Sequence, residues 1–323
     1  AKQVASIGRR DPEHAWGTNP CSEIILRPYQ FCNLSSVVVR AGDDLETLLR
    51  KVRLATILGT IQATYTNFRY LRPVWKRNTE EEALLGVSLT GVMDHPVLSQ
   101  VSDEAVHYLE KMKEVAVVTN AEWAAKLGIN AAAAITCVKP EGTVSQLTNS
   151  ASGLHSRYSK YYIRRVRGDA KDPLSTFLKD AGVPWEEDKV QPGQVVFSFP
   201  IRGPENSVYR NDRSALEQLE HWKMLQDHWC EHKPSITVYY KPDEFLAVGQ
   251  WVWDNFDSIS GVAFLPHDNG TYQQAPYEEI TAEQYEAMAA SMPELNFSQF
   301  REEGDNTIGA QTLACTGDKC DIF

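Results

Sequence analysis

The sequence predicts an α/β fold with parallel strands, on three observations. Strand-like apolar runs alternate with helical patterns along most of the chain. One run, Ala133-Ala134-Ile135-Thr136-Cys137-Val138, is apolar enough for a strand covered on both faces. The chain has 323 residues and 42% hydrophobic content, which suffices for one large α/β domain or two smaller ones.

Taken in order, residues 1 to 18 are polar and read as an irregular lead-in. Ile24-Ile25-Leu26 is a short apolar run ended by Pro28, and Val37-Val38-Val39 is a β-branched strand signal ended by Gly42. Asp43 and Glu46 form a capping-box pattern ahead of Leu45, Leu48, Leu49 and Val52, which recur at helical spacing. Thr79 and Glu82 repeat that start signal. A long helical pattern covers about 105 to 127 and stops at Gly128. Val195 to Phe199, Ile236 to Tyr240 and Gly261 to Leu265 read as strands. Helical patterns fall at about 213 to 231, 242 to 255 and 281 to 291. After Arg301 the chain is rich in Gly, Asp, Asn and Thr and reads as a mobile tail.

Charge and composition narrow the function classes. A formal net charge of -11 repels phosphate backbones and argues against bulk nucleic-acid binding. No run of ~18 apolar residues is present to span a membrane. Ala1-Lys2-Gln3-Val4 lacks the apolar segment of a signal peptide, so a cytoplasmic protein is expected. The absence of an initiator methionine fits a processed or partial chain. Six cysteines are too few for a disulfide scaffold at this length, and grouped thiols in a reducing compartment suggest metal or redox chemistry.

Asn19-Pro20-Cys21-Ser22-Glu23 places an amide, a thiol and a carboxylate at alternate positions. In an extended segment all three would face one pocket, where the carboxylate takes a proton and the amide orients a hydroxyl. On the pattern alone, a loop with a structural cysteine is the favoured reading. Cys315-Thr316-Gly317-Asp318-Lys319-Cys320 is different, because two thiols near the end of a polar, glycine-containing tail suit thiol–disulfide exchange. Half of a zinc site is one competing reading, but no second pair matches it and the eight histidines are scattered; two unrelated surface thiols are the other. Cys137 and Cys230 sit in apolar or helical patterns and read as packing thiols. Lys139-Pro140-Glu141-Gly142-Thr143-Val144-Ser145 is a strand end followed by glycine and hydroxyls, able to meet an anion if a helix starts there. Arg164-Arg165-Val166-Arg167 is the strongest local basic cluster; such a cluster can bind a small phosphorylated ligand, and the bland alternative is a solvated edge strand.

Together these motifs resemble the ribonucleotide reductases, and among them the adenosylcobalamin-dependent (class II) enzymes of the ribonucleoside-triphosphate type. Asn19-Pro20-Cys21-Ser22-Glu23 is similar to the family's finger-loop motif, here about 17 to 36. Tyr161-Tyr162-Ile163-Arg164-Arg165-Val166-Arg167, Thr237-Val238-Tyr239-Tyr240-Lys241-Pro242, Phe264-Leu265-Pro266 and Thr271-Tyr272-Gln273-Gln274-Ala275-Pro276-Tyr277 add to the likeness.

The resemblance implies residues 1 to 300 as the second half of a ten-stranded α/β barrel with a central finger loop, and 301 to 323 as a flexible redox tail. It implies adenosylcobalamin as cofactor, Cys21 as the thiyl radical in a loop shielded from solvent, and Asn19 and Glu23 around it. Cys32 becomes one of two substrate-reducing cysteines. Glu141, Gly142, Thr143, Val144 and Ser145 hold the phosphates of a ribonucleoside tri- or diphosphate. Cys315 and Cys320 become the shuttle pair that takes electrons from thioredoxin or a similar reductant. In this reading the reaction makes 2′-deoxyribonucleotides for DNA synthesis.

The family's other reducing cysteine and its regulatory region lie upstream of the finger loop, so a separate N-terminal half is the expected partner. Two alternatives remain open on the sequence. Tyr161-Tyr162 and Tyr239-Tyr240 admit the large subunit of an oxygen-dependent (class I) reductase, and a half-barrel admits a non-catalytic module of a split reductase.

Overall fold

The computed structural model describes residues 10–267 and 273–302. The elements in chain order are β1 (Gly17–Thr18), β2 (Ile25–Leu26), β3 (Asn33–Val38), α1 (Leu45–Gln62), α2 (Pro73–Glu82), β4 (Leu85–Thr90), α3 (Asp103–Leu127) and α4 (Val144–Thr148). They continue as β5 (Tyr161–Asp169), α5 (Pro173–Asp180), β6 (Trp185–Glu187), β7 (Gln194–Arg202), α6 (Ala215–His228) and β8 (Ile236–Tyr240). The last are α7 (Phe245–Asp254), β9 (Val262–Pro266), β10 (Tyr277–Glu279) and α8 (Ala282–Ser291). The described residues divide into two compact units, one of 10–157 with 204–267 and one of 158–203 with 273–302.

The first unit is the expected parallel α/β array. β3 pairs with β4 and β8 pairs with β9, both in parallel. Between them, parallel bridges join Val87 to Thr136 and Val138 to Pro234, two residues before β8. Five strand segments therefore follow one another in chain order. The run at 133 to 138 contributes single bridges rather than a full strand. No sheet closes on itself among the described residues.

One face of this array packs on the helices. Val37, Val87, Leu89, Ile135, Val138 and Val238 share a core with Leu48, Leu109, Met112, Leu219, Trp222 and Trp229. The buried tryptophans keep their N–H groups bonded, Trp222 to the Pro234 carbonyl (3.0 Å) and Trp229 to the Cys137 carbonyl (2.8 Å).

The helix boundaries follow their caps. Ser102 accepts from Ala105 N–H at the start of α3, and Gly128 ends it in the left-handed region. α1 is capped by Asp44, which accepts from Thr47 N–H, while Asp43 binds Lys51 and Arg40 N–H instead. The start signal read at Thr79 and Glu82 is corrected: both lie at the end of α2. Pro73 begins that helix and Ala83, left-handed, stops it. Glu82 is a buried ion-pair partner rather than a capping residue.

The second unit is an antiparallel sheet in the order β10-β5-β7-β6. Leu178, Val183, Val195 and Phe197 form its core. β5 is flanked on both sides, so the Arg164–Arg167 cluster is not on an edge strand. Arg165 pairs with Glu278, Arg167 with Asp188 at 2.6 Å, and the Arg164 guanidinium lies 4.4 Å from the Tyr277 ring. The basic run is locally neutralised in place of forming an open anion surface.

Candidate active site

The segment around Cys21 is a hairpin lying on the open face of the parallel array. β1 and β2 pair antiparallel, Gly17 with Leu26 and Thr18 with Ile25. Asn19 closes the turn: its side chain accepts from Ile24 N–H (3.0 Å) and its carbonyl accepts from Ser22 N–H (2.9 Å). Ser22 is left-handed at φ 62. The extended alternation expected for Asn19, Cys21 and Glu23 is thus replaced by a tight turn. A chain reversing within four residues cannot keep a two-residue period. Cys21 is exposed at the tip and Glu23 is buried below it. The solvent-shielded thiol expected from the sequence is not provided by these residues.

Strand alternation explains what lies beneath the hairpin. Val87 and Thr136 face the helices, so Gly86, Ser88 and Cys137 face the other way; the same logic puts Lys233 on that side of Pro234. The hairpin and Cys32 occupy this face. Gly86 is where they approach β4: a Cβ there would sit 2.4 Å from Leu34 Cδ2, 2.9 Å from Ile24 Cδ1 and 3.3 Å from Cys32 Sγ. Only a hydrogen leaves room.

The hairpin base is held by groups distant in sequence. The buried His232 ring accepts from Ile25 N–H at Nδ1 (3.3 Å) and meets the Leu85 carbonyl through Nε2 (2.8 Å), which fixes it as a neutral donor–acceptor bridge. Burial, with the nearby Arg10 charge, pushes its pKa down to about 3. Arg10 donates to the Ile25 carbonyl (2.5 Å) and grips Glu82 through Nε (2.8 Å) and Nη2 (2.6 Å). Gln30 also donates to Glu82, and Arg27 Nε lies 3.2 Å from the same carboxylate. Burial works against ionisation of Glu82, but the Arg10 and Gln30 hydrogen bonds and the charges of Arg10 and Arg27 outweigh it and hold the carboxyl below its ordinary range. Sequence reasoning missed Arg10, Glu82, His232 and Lys233 as site-forming residues. No local pattern marks them, because each acts across the chain.

Around the turn the titratable groups are Glu23, Cys32, Cys137 and Lys233. Glu23 is 1% exposed, and its Oε2 has no hydrogen-bond partner among the described residues. Its carbonyl accepts from Lys233 N–H (3.1 Å). Cys32 is half-buried at the start of β3. Burial pushes its thiol well above the usual range, Glu23 adds to this, and the charges of Arg10 and Lys139 oppose it. Cys137 is fully buried and pushed up likewise.

The loop after the 136–138 segment lies at the far end of the strands. Lys139 N–H donates to Ser88 Oγ (2.9 Å), and Ser152 Oγ to the Pro140 carbonyl (2.5 Å). Gly153 permits this closure, since a Cβ there would meet the Lys139 carbonyl at 2.2 Å. Glu141 is left-handed (φ 55) and buried, and its Oε1 has no partner among the described residues. Gly142, Thr143 and Val144 are exposed where α4 begins. Ser145 is buried, with its N–H bonded to the Glu141 carbonyl (3.0 Å). Thr143 is therefore the accessible hydroxyl of the pair. Cys315 and Cys320 lie outside the described residues.

Comparison with known proteins relates the chain as a whole. No protein-family model matches the chain. The adenosylcobalamin-dependent ribonucleoside-triphosphate reductase of Lactobacillus acidophilus is 25% identical over 95% of this chain and 45% of its own length. The probable adenosylcobalamin-dependent ribonucleoside-triphosphate reductase of Dictyostelium discoideum is 29% identical over 88% of this chain and 38% of its own length. A crystal structure of a B12-dependent (class II) ribonucleotide reductase superposes with a TM-score of 0.77 at 25% identity, covering 90% of this chain and 44% of that one. The class Id ribonucleotide reductase alpha subunit of Actinobacillus ureae gives 0.52 at 13% identity, a likeness of fold alone. The chain spans less than half the length of the curated relatives it matches.

Proposed function

We propose that this chain, related in sequence and fold along nearly all its length to the cobalamin-dependent ribonucleotide reductases, supplies the finger loop and second half-barrel of such an enzyme. The observation that carries the reading is the hairpin itself. An exposed thiol stands at its tip above a buried carboxylate with an unpartnered oxygen, and a second, protonated thiol lies on the same face. The substrate class is a ribonucleoside tri- or diphosphate, reduced at C2′.

The chain's own groups divide the work. Cys21, reachable from outside the array, is the hydrogen donor and acceptor toward the ribose C3′. Glu23 Oε2, free of other partners, takes the 3′-hydroxyl proton as water leaves C2′. Cys32, held protonated by burial, is suited to deliver a hydrogen rather than to act as a thiolate nucleophile. Asn19 holds the turn that aims Cys21, a supporting role that its hydrogen bonds favour over direct contact with a hydroxyl. Gly142, Thr143 and Val144 present an exposed loop to the substrate phosphates, with Glu141 and Ser145 setting its shape.

The residues fit adenosylcobalamin at one point, the exposed Cys21 thiol, which a cofactor bound outside this chain's core can reach. Among the described residues no cluster of His, Cys, Asp and Glu is arranged to hold a metal ion, so no cobalt ligand is assigned. When bound, the cofactor supplies the radical that removes the thiol hydrogen.

Two features support a partner that completes a ten-stranded barrel. Among the described residues Cys21 lacks cover, and β3 presents an open edge. A groove of about 430 Å³ runs beside that edge, lined by Ser36, Val38, Lys51, Leu54, Ala55 and Leu58. Unpaired parallel edges with apolar flanks favour strand addition.

The test is to assay nucleotide reduction by the chain alone and with an N-terminal half-barrel polypeptide, with adenosylcobalamin and a dithiol reductant. Activity is expected only in the mixture, and Glu23→Gln should lower the rate by on the order of 10²–10⁴, typical of one acid–base group. A wild-type rate in that variant would move the proton acceptor elsewhere. Cys315 and Cys320 are proposed to relay electrons from thioredoxin to the active-site disulfide. The double serine variant should complete one turnover per pre-reduced site and then stall on thioredoxin, with partial rescue by a small dithiol. Sustained cycling on thioredoxin would remove the shuttle role.

A further inference from the structure

Lys233 is only 4% exposed, yet its ammonium makes no hydrogen bond or close ion pair with any described residue. Its backbone is fixed on both sides. Its N–H donates to the Glu23 carbonyl (3.1 Å), and its carbonyl accepts from Val138 N–H (3.1 Å). Alternation sends the side chain to the face where the hairpin lies. There it runs under the turn: the position of a Cβ on Gly261 is 3.1 Å from both Lys233 Cε and Nζ and 3.5 Å from Ser22 Cβ. So a buried cation without a bonded partner lies beside the turn that carries Glu23, whose buried carboxylate has an orphaned oxygen.

We infer that Lys233 is a positioning residue for Glu23, its ammonium keeping that carboxylate ionised and ready to accept a proton from the substrate. Geometry motivates this, and electrostatics agrees. Burial lowers the proton affinity of Lys233 while the Glu23 charge raises it, as expected of two groups that sense one another. The thiols of Cys32, from the start of β3, and Cys137, from the 136–138 segment, also feel the Glu23 charge; the Cys21 thiol on the turn and the neutral His232 ring bonded to Ile25 N–H complete the titratable surroundings. Arg10, Lys139 and Glu141 act on the Cys32 and Cys137 thiols from the lead-in and the loop at the far strand ends. Both thiols are neutral in this setting, and Lys233 is the cation that feels the Glu23 charge. Gly261 has a matching function, because any side chain there would displace the ammonium.

This role deepens the proposed reaction and rests on Glu23 as its proton acceptor. The test therefore reads the carboxylate directly as well as turnover. The carboxylate infrared band of Glu23, isolated by difference against Glu23→Gln, is followed against pH in the full chain for wild type, Lys233→Met and Gly261→Ala. Lys233→Met should move the pH at which the band is half lost upward by about one unit, a tenfold gain in proton affinity. Gly261→Ala keeps the charge but shifts it, and should move the midpoint in the same direction by less. In the assembled enzyme the acidic limb of the pH–rate profile should shift with it. An unchanged midpoint in folded Lys233→Met overturns the inference. If that variant does not fold, an unchanged midpoint in Gly261→Ala overturns it. A shifted midpoint without nucleotide reduction in any assembly upholds the pairing and rejects the reductase reading.

Discussion

Replacing Cys21 with serine is expected to abolish turnover while leaving substrate binding and the hairpin intact. The side chain is exposed at the tip and no described hydrogen bond depends on it, so the fold has no reason to change. The chemistry does. The proposed step removes a hydrogen atom from the side chain, and an alcohol O–H is far harder to break homolytically than a thiol S–H. The loss should exceed the ~10²–10⁴ expected for removing a single acid–base group. Single-turnover assays on the assembled enzyme, with nucleotide binding measured in parallel, check this. Deoxynucleotide formed by the serine variant would assign the radical to another residue.

Glu82→Ala is expected to produce the largest loss of stability among single changes near the site. The carboxylate accepts from Arg10 and Gln30 and neutralises Arg27 as well, and both arginines are nearly buried. Deleting it strands the buried Arg10 guanidinium and leaves Arg27 only the exposed Glu81 carboxylate, 3.3 Å away, and losing the partner of a buried ion pair costs about 3–5 kcal/mol. Arg10→Ala should cost less, since Arg27 and Gln30 still meet the carboxylate. The pH dependence follows from the lowered Glu82 proton affinity. A carboxyl held below its unfolded value of about 4.5 adds stability above that pH and loses it as the pH falls through the lower folded-state value. Urea unfolding of wild type and Glu82→Ala across this range measures both effects. Equal midpoints at neutral pH would show that the arginines are satisfied in another way.

Much of the fold was legible because its signals are local. Gly128 marks the end of α3 within one residue, and the β-branched runs at 37 to 39 and 236 to 240 fall within or beside β3 and β8. The errors have one physical origin. Thr79 and Glu82 have the spacing of a helix start, but Pro73 had already opened the helix, and Glu82 answers to Arg10, 72 residues away. The arginines of β5 look solvated until β10 and β7 flank them.

The site divides in the same manner. Asn19, Cys21, Glu23 and Cys32 stand out by residue type and spacing, although the turn that carries them reverses too sharply for the extended alternation. Arg10, His232 and Lys233 carry no motif. Their roles come from which carbonyl, amide or carboxylate the fold brings beside them. Gly86 is equally silent in sequence, and only the approach of Ile24 and Cys32 shows why a side chain cannot stand there.

The exposed tip thiol also sets a time limit on the chain. Cys137 and Cys230 are sealed in the core, whereas Cys21 stands in solvent, open to peroxide and to other thiols. Oxidation to the sulfenic state can be reversed, but the next step to the sulfinic state cannot be in most settings. In the proposed assembly, a chain kept apart from its partner would have a lifetime set by oxidant exposure rather than by unfolding. A covering polypeptide of the kind proposed above would protect this sulfur as well as shape the site, so the activity recovered on mixing should fall with the oxidant exposure of the separate chain.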